Sequence, residues 1–188
     1  MQGGTAATQD VFIEHVGQPT LAIIRPAVQA LQDLGMHRKV QLILSGGIRS
    51  GADVAKAMAL GADAVSIGSA ALIALGDNDP KYEAEYNALG TTAGAYDDWQ
   101  EGRDPAGITT QDPELMARFD PIEGGRRLRN YLKVMTLEAQ TIARACGKNH
   151  LHNLEPEDLV ALTMEAAAMA KIPLAGTDWY PGKPGTGF

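Results

Sequence analysis

Two consecutive strand–turn–helix patterns, each with glycine in its turn, constrain the fold of this chain more than any other feature. The first pattern comprises an apolar strand at residues 40–44, a turn at residues 45–51 and a helix at residues 52–60. The second comprises a strand at residues 64–67, the turn Gly68-Ser69 and a helix that begins at Ala70. Short, nearly continuous apolar runs are typical of strands buried on both faces of a parallel sheet. The patterns therefore predict an α/β fold with two successive βα units, preceded by a helix at residues 20–34.

The two glycine turns predict a phosphate-binding site. Glycine lets the backbone approach a ligand closely, and the N–H groups at the start of a helix attract an anion. Two such turns after neighbouring strands form the phosphate cradle that follows the seventh and eighth strands of a (β/α)₈ barrel. The alternative is that the glycines only make tight turns. The order of the two turns favours phosphate binding, with Gly46, Gly47, Gly68 and Ser69 as candidate contacts. Arg49 either contacts the ligand or forms a surface ion pair.

Composition limits the classes of function. The 188 residues include 16 Lys and Arg against 23 Asp and Glu, a net charge of −7, and 45% are hydrophobic, as in a globular domain. This surplus of negative charge disfavours nucleic-acid binding. No apolar run reaches the roughly 20 residues of a membrane-spanning helix, and the first residues lack the features of a signal peptide. We therefore expect a cytoplasmic protein that binds neither nucleic acid nor membranes.

Cysteine and histidine provide little support for a metal site. Cys146 is the single cysteine, so we expect no disulfide and a structural rather than a reactive thiol. His150 and His152 are the tightest pair among the four histidines, and they lie in a predicted loop without zinc-site spacing. Asp77 and Asp79 are expected to lie in a solvated loop. We predict no metal site in this chain.

Residues 45–69 resemble the phosphate-binding end of flavin-dependent and related (β/α)₈ barrels, which include inosine monophosphate dehydrogenase, type 2 isopentenyl diphosphate isomerase and glutamate synthase. Two further motifs narrow the resemblance to the flavin domain of the glutamate synthase family. They are residues 3–7, GGTAA, against the family's GGTGA, and residues 107–115, GITTQDPEL, against the family's GVATQDPEL. Residues 130–138 and 154–159 are similar to the segment that closes that domain. The resemblance thus covers residues 1 to about 162.

The resemblance implies an FMN-dependent oxidoreductase of glutamate-synthase type, in which FMN supplies a hydride to 2-iminoglutarate formed from 2-oxoglutarate and ammonia. It assigns the FMN phosphate to Gly46, Gly47, Gly68 and Ser69, with Arg49 beside it, and the border of the flavin and substrate space to Gly3, Gly4 and Thr5. It leaves the catalytic residues unassigned. The implied partners are glutamine amidotransferase and glycine-rich helical subunits. The alternatives are an N-methylglutamate synthase subunit that uses methylamine, and a truncated or noncatalytic interaction subunit.

The chain departs from the family in the segment that normally carries the cysteine ligands of an iron–sulfur cluster. Residues 76–106 contain no cysteine, and Asp104 stands where the family's Cys-Pro pair places a ligand. Carboxylates do not replace the thiolates that hold such clusters. We therefore expect no iron–sulfur cluster in this chain, and no delivery of electrons to the flavin through one.

The chain is also short for the fold that it resembles, because a (β/α)₈ barrel typically takes about 250 residues. We expect the C-terminal part of such a barrel, followed by helices and an irregular tail. The expected parts are the last βα units at residues 1–76, a polar loop segment at 77–124, C-terminal helices at 125–172 and a flexible tail at 173–188. Unpaired strand edges predict association with a second copy or a complementary chain, or poor folding in isolation.

Overall fold

The computed structural model of the protein describes residues 15–89 and 102–183. In chain order its helices and strands are α1 (Thr20–Asp33), β1 (Ile43–Ser45), α2 (Gly51–Leu60), β2 (Ala64–Ser66), α3 (Ser69–Leu75), α4 (Glu83–Leu89), α5 (Pro113–Met116), α6 (Pro121–Ala145) and α7 (Met164–Ala170). Short 3₁₀ helices lie at Pro80–Tyr82, Leu151–Asn153 and Pro156–Asp158. The described residues form a mixed α/β structure that is mostly helical. No helix in these two ranges is long and apolar enough to cross a membrane.

The two predicted strand–helix repeats are confirmed. Strands β1 and β2 pair in parallel, with Ser45 opposite Ser66, and helices α2 and α3 follow them. The first strand begins later than predicted, at Ile43 rather than at residue 40. The backbone N–H of Val40 is bonded to the Met36 carbonyl, 3.1 Å away, so Val40 belongs to a turn rather than to the strand.

The prediction that the first strand is buried on both faces is wrong for this structure. Leu44 is 3% exposed, whereas its neighbour Ile43 retains 63% of its surface. Successive side chains of a strand point to opposite faces, and the sheet has two strands in the described part of the chain. The described residues therefore cover the face that carries Leu44 and leave the face that carries Ile43 open.

The chain divides into two compact units. We call the one that holds both strands the strand unit; its described residues are 18–66 and 135–183. The other, the loop unit, has the described residues 15–17, 67–89 and 102–134. Helix α6 begins in the loop unit and ends in the strand unit.

The core of the strand unit combines aliphatic side chains with alanines. Helix α1 buries Ile24 and Val28 on one face. A second buried cluster joins α2, α6 and the segment after α6, and consists of Ala55, Ala59, Ala143 and Leu154. The half-buried Cys146 packs against this cluster, which is consistent with a structural thiol.

Helix α2 approaches helix α6 most closely at Gly51. A Cβ atom at this position would lie 2.6 Å from the backbone nitrogen of Ala139 and 2.7 Å from the Cβ of Glu138, and it would also collide with the Met135 carbonyl oxygen. The neighbouring atoms are mostly backbone of a helix, which cannot move aside as a flexible side chain would. The contact therefore requires glycine at position 51.

We expect Gly51→Ala to lower the free energy of unfolding by about 1–3 kcal/mol, because the added methyl group forces α2 away from α6. Urea unfolding followed by circular dichroism measures the change. Gly125→Ala is the matched control, because Gly125 lies in α6 and no atom would lie within 4 Å of an added Cβ. This control should gain about 0.5–1 kcal/mol from the better helix propensity of alanine. Equal stability of Gly51→Ala and the unmodified protein would contradict the observed packing.

Candidate functional site

The first glycine turn connects β1 to α2 within the strand unit. Gly46 and Gly47 have φ angles of +115° and +70°, in the left-handed region that other residues rarely adopt. Gly47 and Arg49 are exposed, and Gly46 is half-buried. The turn therefore has the backbone conformation and the access that a phosphate contact through Gly46 and Gly47 needs.

Carboxylates already occupy the start of helix α2. Ser50 is the N-cap residue, and its hydroxyl accepts a hydrogen bond from the Asp53 N–H at 3.3 Å. The Asp53 carboxylate accepts in return from the N–H groups of Arg49 and Ser50, at 3.0 and 3.1 Å. Glu138 on helix α6 accepts from the Gly51 N–H at 2.7 Å. An anion at this helix start would have to compete with two carboxylates.

The second glycine turn has a different character. Gly68 is the N-cap residue of α3, with a φ of −118°, and its helix start has no side-chain cap. Gly68 and Ser69 are exposed, and nothing lies within 4 Å of the position of a Cβ at residue 68. Neither the sign of φ nor packing in the described residues requires glycine there.

Three of the predicted site residues, Gly3, Gly4 and Thr5, lie outside the described residues. Their assignment to the flavin and substrate border stays a prediction.

Sequence reasoning missed a buried acidic network in the loop unit. Asp77, Tyr86 and Asp104 are each 2% exposed or less. The Tyr86 hydroxyl lies 2.6 Å from Asp77 Oδ1 and 3.1 Å from Asp104 Oδ1. The prediction that Asp77 lies in a solvated loop is therefore wrong, because the helix that follows brings Tyr86 over its carboxylate. No local signal marks this burial, since the surrounding sequence is polar.

Asp104 accepts more hydrogen bonds than either Asp77 or Tyr86, the other two members of this network. Its Oδ1 accepts from the Ala106 N–H at 2.9 Å, and its Oδ2 from the N–H groups of Ile108 and Thr109 at 2.7 and 2.8 Å. Burial raises the pKa of the Asp104 carboxyl, but these backbone N–H groups outweigh burial and hold the pKa below its usual value. Burial, together with the bond to Asp77, raises the pKa of the Tyr86 hydroxyl. Tyr86 therefore keeps its proton and acts as a donor.

The hydrogen bonds of Asp104 lie at the start of the family motif at residues 107–115. Gly107 has a φ of +76°, and an added Cβ there would lie 2.9 Å from the Leu115 carbonyl carbon. The Thr110 hydroxyl donates to the Gly102 carbonyl and accepts from the Asp112 N–H. Asp112 in turn caps helix α5 by accepting from the N–H groups of its first turn. The motif is thus a tightly bonded turn, and within the loop unit its residues have clear structural roles.

The histidine pair lies in the strand unit, after α6. The Nδ1 atoms of His150 and His152 are 3.3 Å apart, and His152 Nε2 lies 3.0 Å from the Asp63 carbonyl oxygen. Both rings border a cavity of about 310 Å³, together with Arg144 and Lys148. Within the described ranges, no group of three or more histidine, cysteine, aspartate or glutamate side chains could hold a metal ion.

Comparison with known proteins finds similarity along most of the chain. A family model described as the conserved region in glutamate synthase matches residues 1–80 and 100–149. The glutamate synthase large subunit-like protein of Rhizobium meliloti is 85% identical over 97% of this chain and 41% of its own length. The archaeal glutamate synthase [NADPH] of Methanocaldococcus jannaschii is 40% identical over 81% of this chain and 27% of its own length. Ferredoxin-dependent glutamate synthase 1 of Arabidopsis thaliana is 32% identical over 81% and 8%. The chain therefore spans less than half the length of each of these relatives.

The lowered pKa of Asp104 predicts a dependence of stability on pH. A carboxyl group whose pKa is lower in the folded state stabilises the fold above its unfolded pKa, about 3.8, and this contribution disappears as the pH falls through the folded value. We expect Asp104→Asn to be less stable at pH 7 by on the order of 2 kcal/mol, because buried N–H groups lose an acceptor. Its stability should also fall less steeply than that of the unmodified protein below about pH 4.

Urea unfolding at pH 7, 4 and 3 measures both effects. Glu157→Gln is the control, because Glu157 is an exposed carboxyl without a hydrogen bond or ion pair in the described structure. Parallel pH profiles for Asp104→Asn and the unmodified protein would contradict the assigned role of the carboxylate.

Proposed function

This chain belongs to the glutamate synthase family, and on that basis we propose that it is part of an FMN-dependent oxidoreductase of glutamate-synthase type. One observation carries the proposal: the two stretches that match the family model contain both glycine turns and the motif at residues 107–115. The relatives include an archaeal glutamate synthase [NADPH] and a ferredoxin-dependent glutamate synthase, which supports a redox reaction for this chain as well.

The proposed reaction is the reduction of 2-iminoglutarate to glutamate. The imine forms from 2-oxoglutarate and ammonia with loss of water. When bound, reduced FMN would supply the hydride that adds to the imine carbon and would itself be oxidised. The part of the reaction that falls to the described residues is to bind and orient the FMN phosphate.

In the first turn, both the backbone and the Arg49 side chain are proposed to bind the phosphate. Asp53 and Glu138 already accept from the N–H groups of Arg49, Ser50 and Gly51. The contact to phosphate therefore falls to the backbone of Gly46 and Gly47, which hold the left-handed conformation. The Arg49 guanidinium supplies positive charge that a helix start shared with two carboxylates does not. In the second turn, Gly68 leaves room for the phosphate and the Ser69 hydroxyl donates to it.

We propose further that β1 with α2, and β2 with α3, are the last two strand–helix units of a (β/α)₈ barrel. The parallel pairing of β1 with β2 supports this assignment. The open face at Ile43 supports it too, since a barrel interior would cover that side chain. Within this arrangement, residues 77–124 are the loop segment of the barrel domain and residues 125–172 its closing helices.

The proposal extends to partner chains. A relative that is 85% identical carries the name of a large subunit-like protein, which supports assembly with other subunits. A glutamine amidotransferase subunit would supply the ammonia, and a glycine-rich helical subunit would complete the enzyme.

Gly68→Asp tests the FMN site in this protein. The substitution places a carboxylate where the phosphate is proposed to bind, and no atom of the described structure lies within 4 Å of a Cβ there. We expect at least about tenfold weaker FMN binding, because one like-charge contact costs more than about 1.4 kcal/mol at close range. The measurements are flavin absorbance at about 450 nm and FMN titration of the apoprotein.

Gly68→Asn is the matched control, because asparagine has nearly the same shape without the charge. It should retain FMN far better than Gly68→Asp. Unchanged FMN affinity in Gly68→Asp would refute the assignment of this turn to the phosphate.

Glu138→Gln gives the opposite prediction for the first turn. The glutamine oxygen can still accept from the Gly51 N–H, but the variant removes a negative charge from the start of α2. We expect FMN to bind about two- to fivefold more tightly at low ionic strength, as removing such a charge is worth about 0.3–1 kcal/mol. Glu157→Gln serves again as the control. Weaker or equal FMN binding in Glu138→Gln would place the phosphate away from this helix start.

A further inference from the structure

In this chain, the segment that carries the cluster cysteines in the family is held together by hydrogen bonds between side-chain oxygen atoms. We name Asp77, Tyr86 and Asp104 the carboxylate–tyrosine network. Iron–sulfur clusters are held by cysteine thiolates, and the single cysteine of this chain, Cys146, packs against the alanine cluster of the strand unit. The residues of the loop unit therefore do not fit a cluster, and hydrogen-bonded side chains occupy the position at which the family's Cys-Pro pair stands.

We propose that the carboxylate–tyrosine network is a metal-free positioning device, which holds the family motif at residues 107–115 in place without an iron–sulfur cluster. The proposal rests on the family membership and on the geometry of the loop unit, and it does not depend on FMN binding.

The network joins three stretches of the loop unit. Asp77 lies at the end of α3, two residues beyond Leu75, and Tyr86 lies on α4. Asp104 lies in the turn that precedes the family motif. One hydroxyl contacts both carboxylates, so the network ties the end of one helix, the face of another and the motif turn together.

The direction of each hydrogen bond is determined by the donors available. Tyr86 shares one proton between the two carboxylates: it donates to Asp77 at 2.6 Å and, over a longer distance, to Asp104 at 3.1 Å. The Asn78 N–H donates to the Tyr86 oxygen at 3.2 Å and to Asp77 at 2.9 Å. The charge of Asp104 is met mainly by backbone N–H groups. The two buried carboxylates are thus stabilised by largely different donors, which limits the repulsion between them.

Asp104 connects the carboxylate–tyrosine network to the family motif. Its Oδ2 is bonded to the N–H groups of Ile108 and Thr109, the second and third residues of the motif, and it lies 3.3 Å from the Thr109 hydroxyl. A cysteine at position 104 would offer a single, weaker sulfur acceptor to the same donors. The carboxylate is therefore suited to hold this turn by itself, whereas a thiolate would need another partner.

Two variants in the full-length protein test the proposal. Tyr86→Phe removes the shared hydroxyl and keeps the ring, and Asp104→Asn removes one acceptor oxygen. We expect the Tm of Tyr86→Phe to fall by roughly 5 °C, because the Asp77 carboxylate loses a buried donor. We expect hydrogen exchange at the Ile108 and Thr109 amides of Asp104→Asn to accelerate at least about tenfold, with no change at Leu44 in the strand unit.

Tyr82→Phe is the matched control for the tyrosine. Its ring contacts Lys81 and Arg118, and its hydroxyl has no hydrogen bond in the described structure, so its Tm should not change. Analysis of iron and acid-labile sulfide after anaerobic reconstitution of the unmodified protein should give neither in stoichiometric amount.

Three results would overturn the proposal. They are stoichiometric iron and sulfide that depend on residues of the loop unit, equal Tm values for Tyr86→Phe and Tyr82→Phe, and unchanged exchange at Ile108 and Thr109 in Asp104→Asn. None of these measurements uses FMN, so a failure here is distinct from a failure of the proposed flavin site.

Discussion

The close contact between helices α2 and α6 is the constraint on which the strand unit depends. Alanines on both helices let the backbones approach, and Gly51 marks the point at which no side chain fits between them. At the same point, Glu138 on α6 accepts the hydrogen bond of the first N–H of α2. Packing and capping therefore act together at one end of α2. That end is where the first glycine turn enters the helix, so the contact also determines the position of Gly46 and Gly47.

The loop unit differs from the strand unit because it buries two carboxylates, those of Asp77 and Asp104. Taking a carboxylate out of water costs several kcal/mol unless hydrogen bonds replace the lost solvent. Asp104 offsets this cost through three backbone N–H groups of one turn, and Asp77 Oδ1 accepts from the Tyr86 hydroxyl and the Asn78 N–H. Each bond requires a particular backbone conformation, including the left-handed Gly107. Buried carboxylates with so many donors tolerate little rearrangement, and this explains how a polar segment keeps a defined structure.

Local pattern was sufficient to predict the helices around the first glycine turn. The apolar spacing predicted a helix at residues 20–34, observed at Thr20–Asp33, and a helix at residues 52–60, observed at Gly51–Leu60. Contacts between residues that are distant in sequence could not be predicted from local pattern. The Glu138 cap joins residues 87 apart in sequence, and the burial of Asp77 depends on the hydroxyl of Tyr86. The burial of Ile43 was predicted from apolarity alone, although it requires a covering element that the described residues do not include.

The carboxylates at the start of α2 limit how the first glycine turn can bind an anion. The glycine spacing predicted a helix start with available N–H groups, but the sequence also supplies Asp53 in the first turn and Glu138 from another helix. These carboxylates stabilise the helix by the same interaction that an anionic ligand would use. A phosphate at this turn must therefore depend on the backbone before the helix and on Arg49. Its affinity then depends on the balance between one guanidinium and two carboxylates, so a single charge change at the start of α2 should change binding by a few-fold while leaving the turn itself intact.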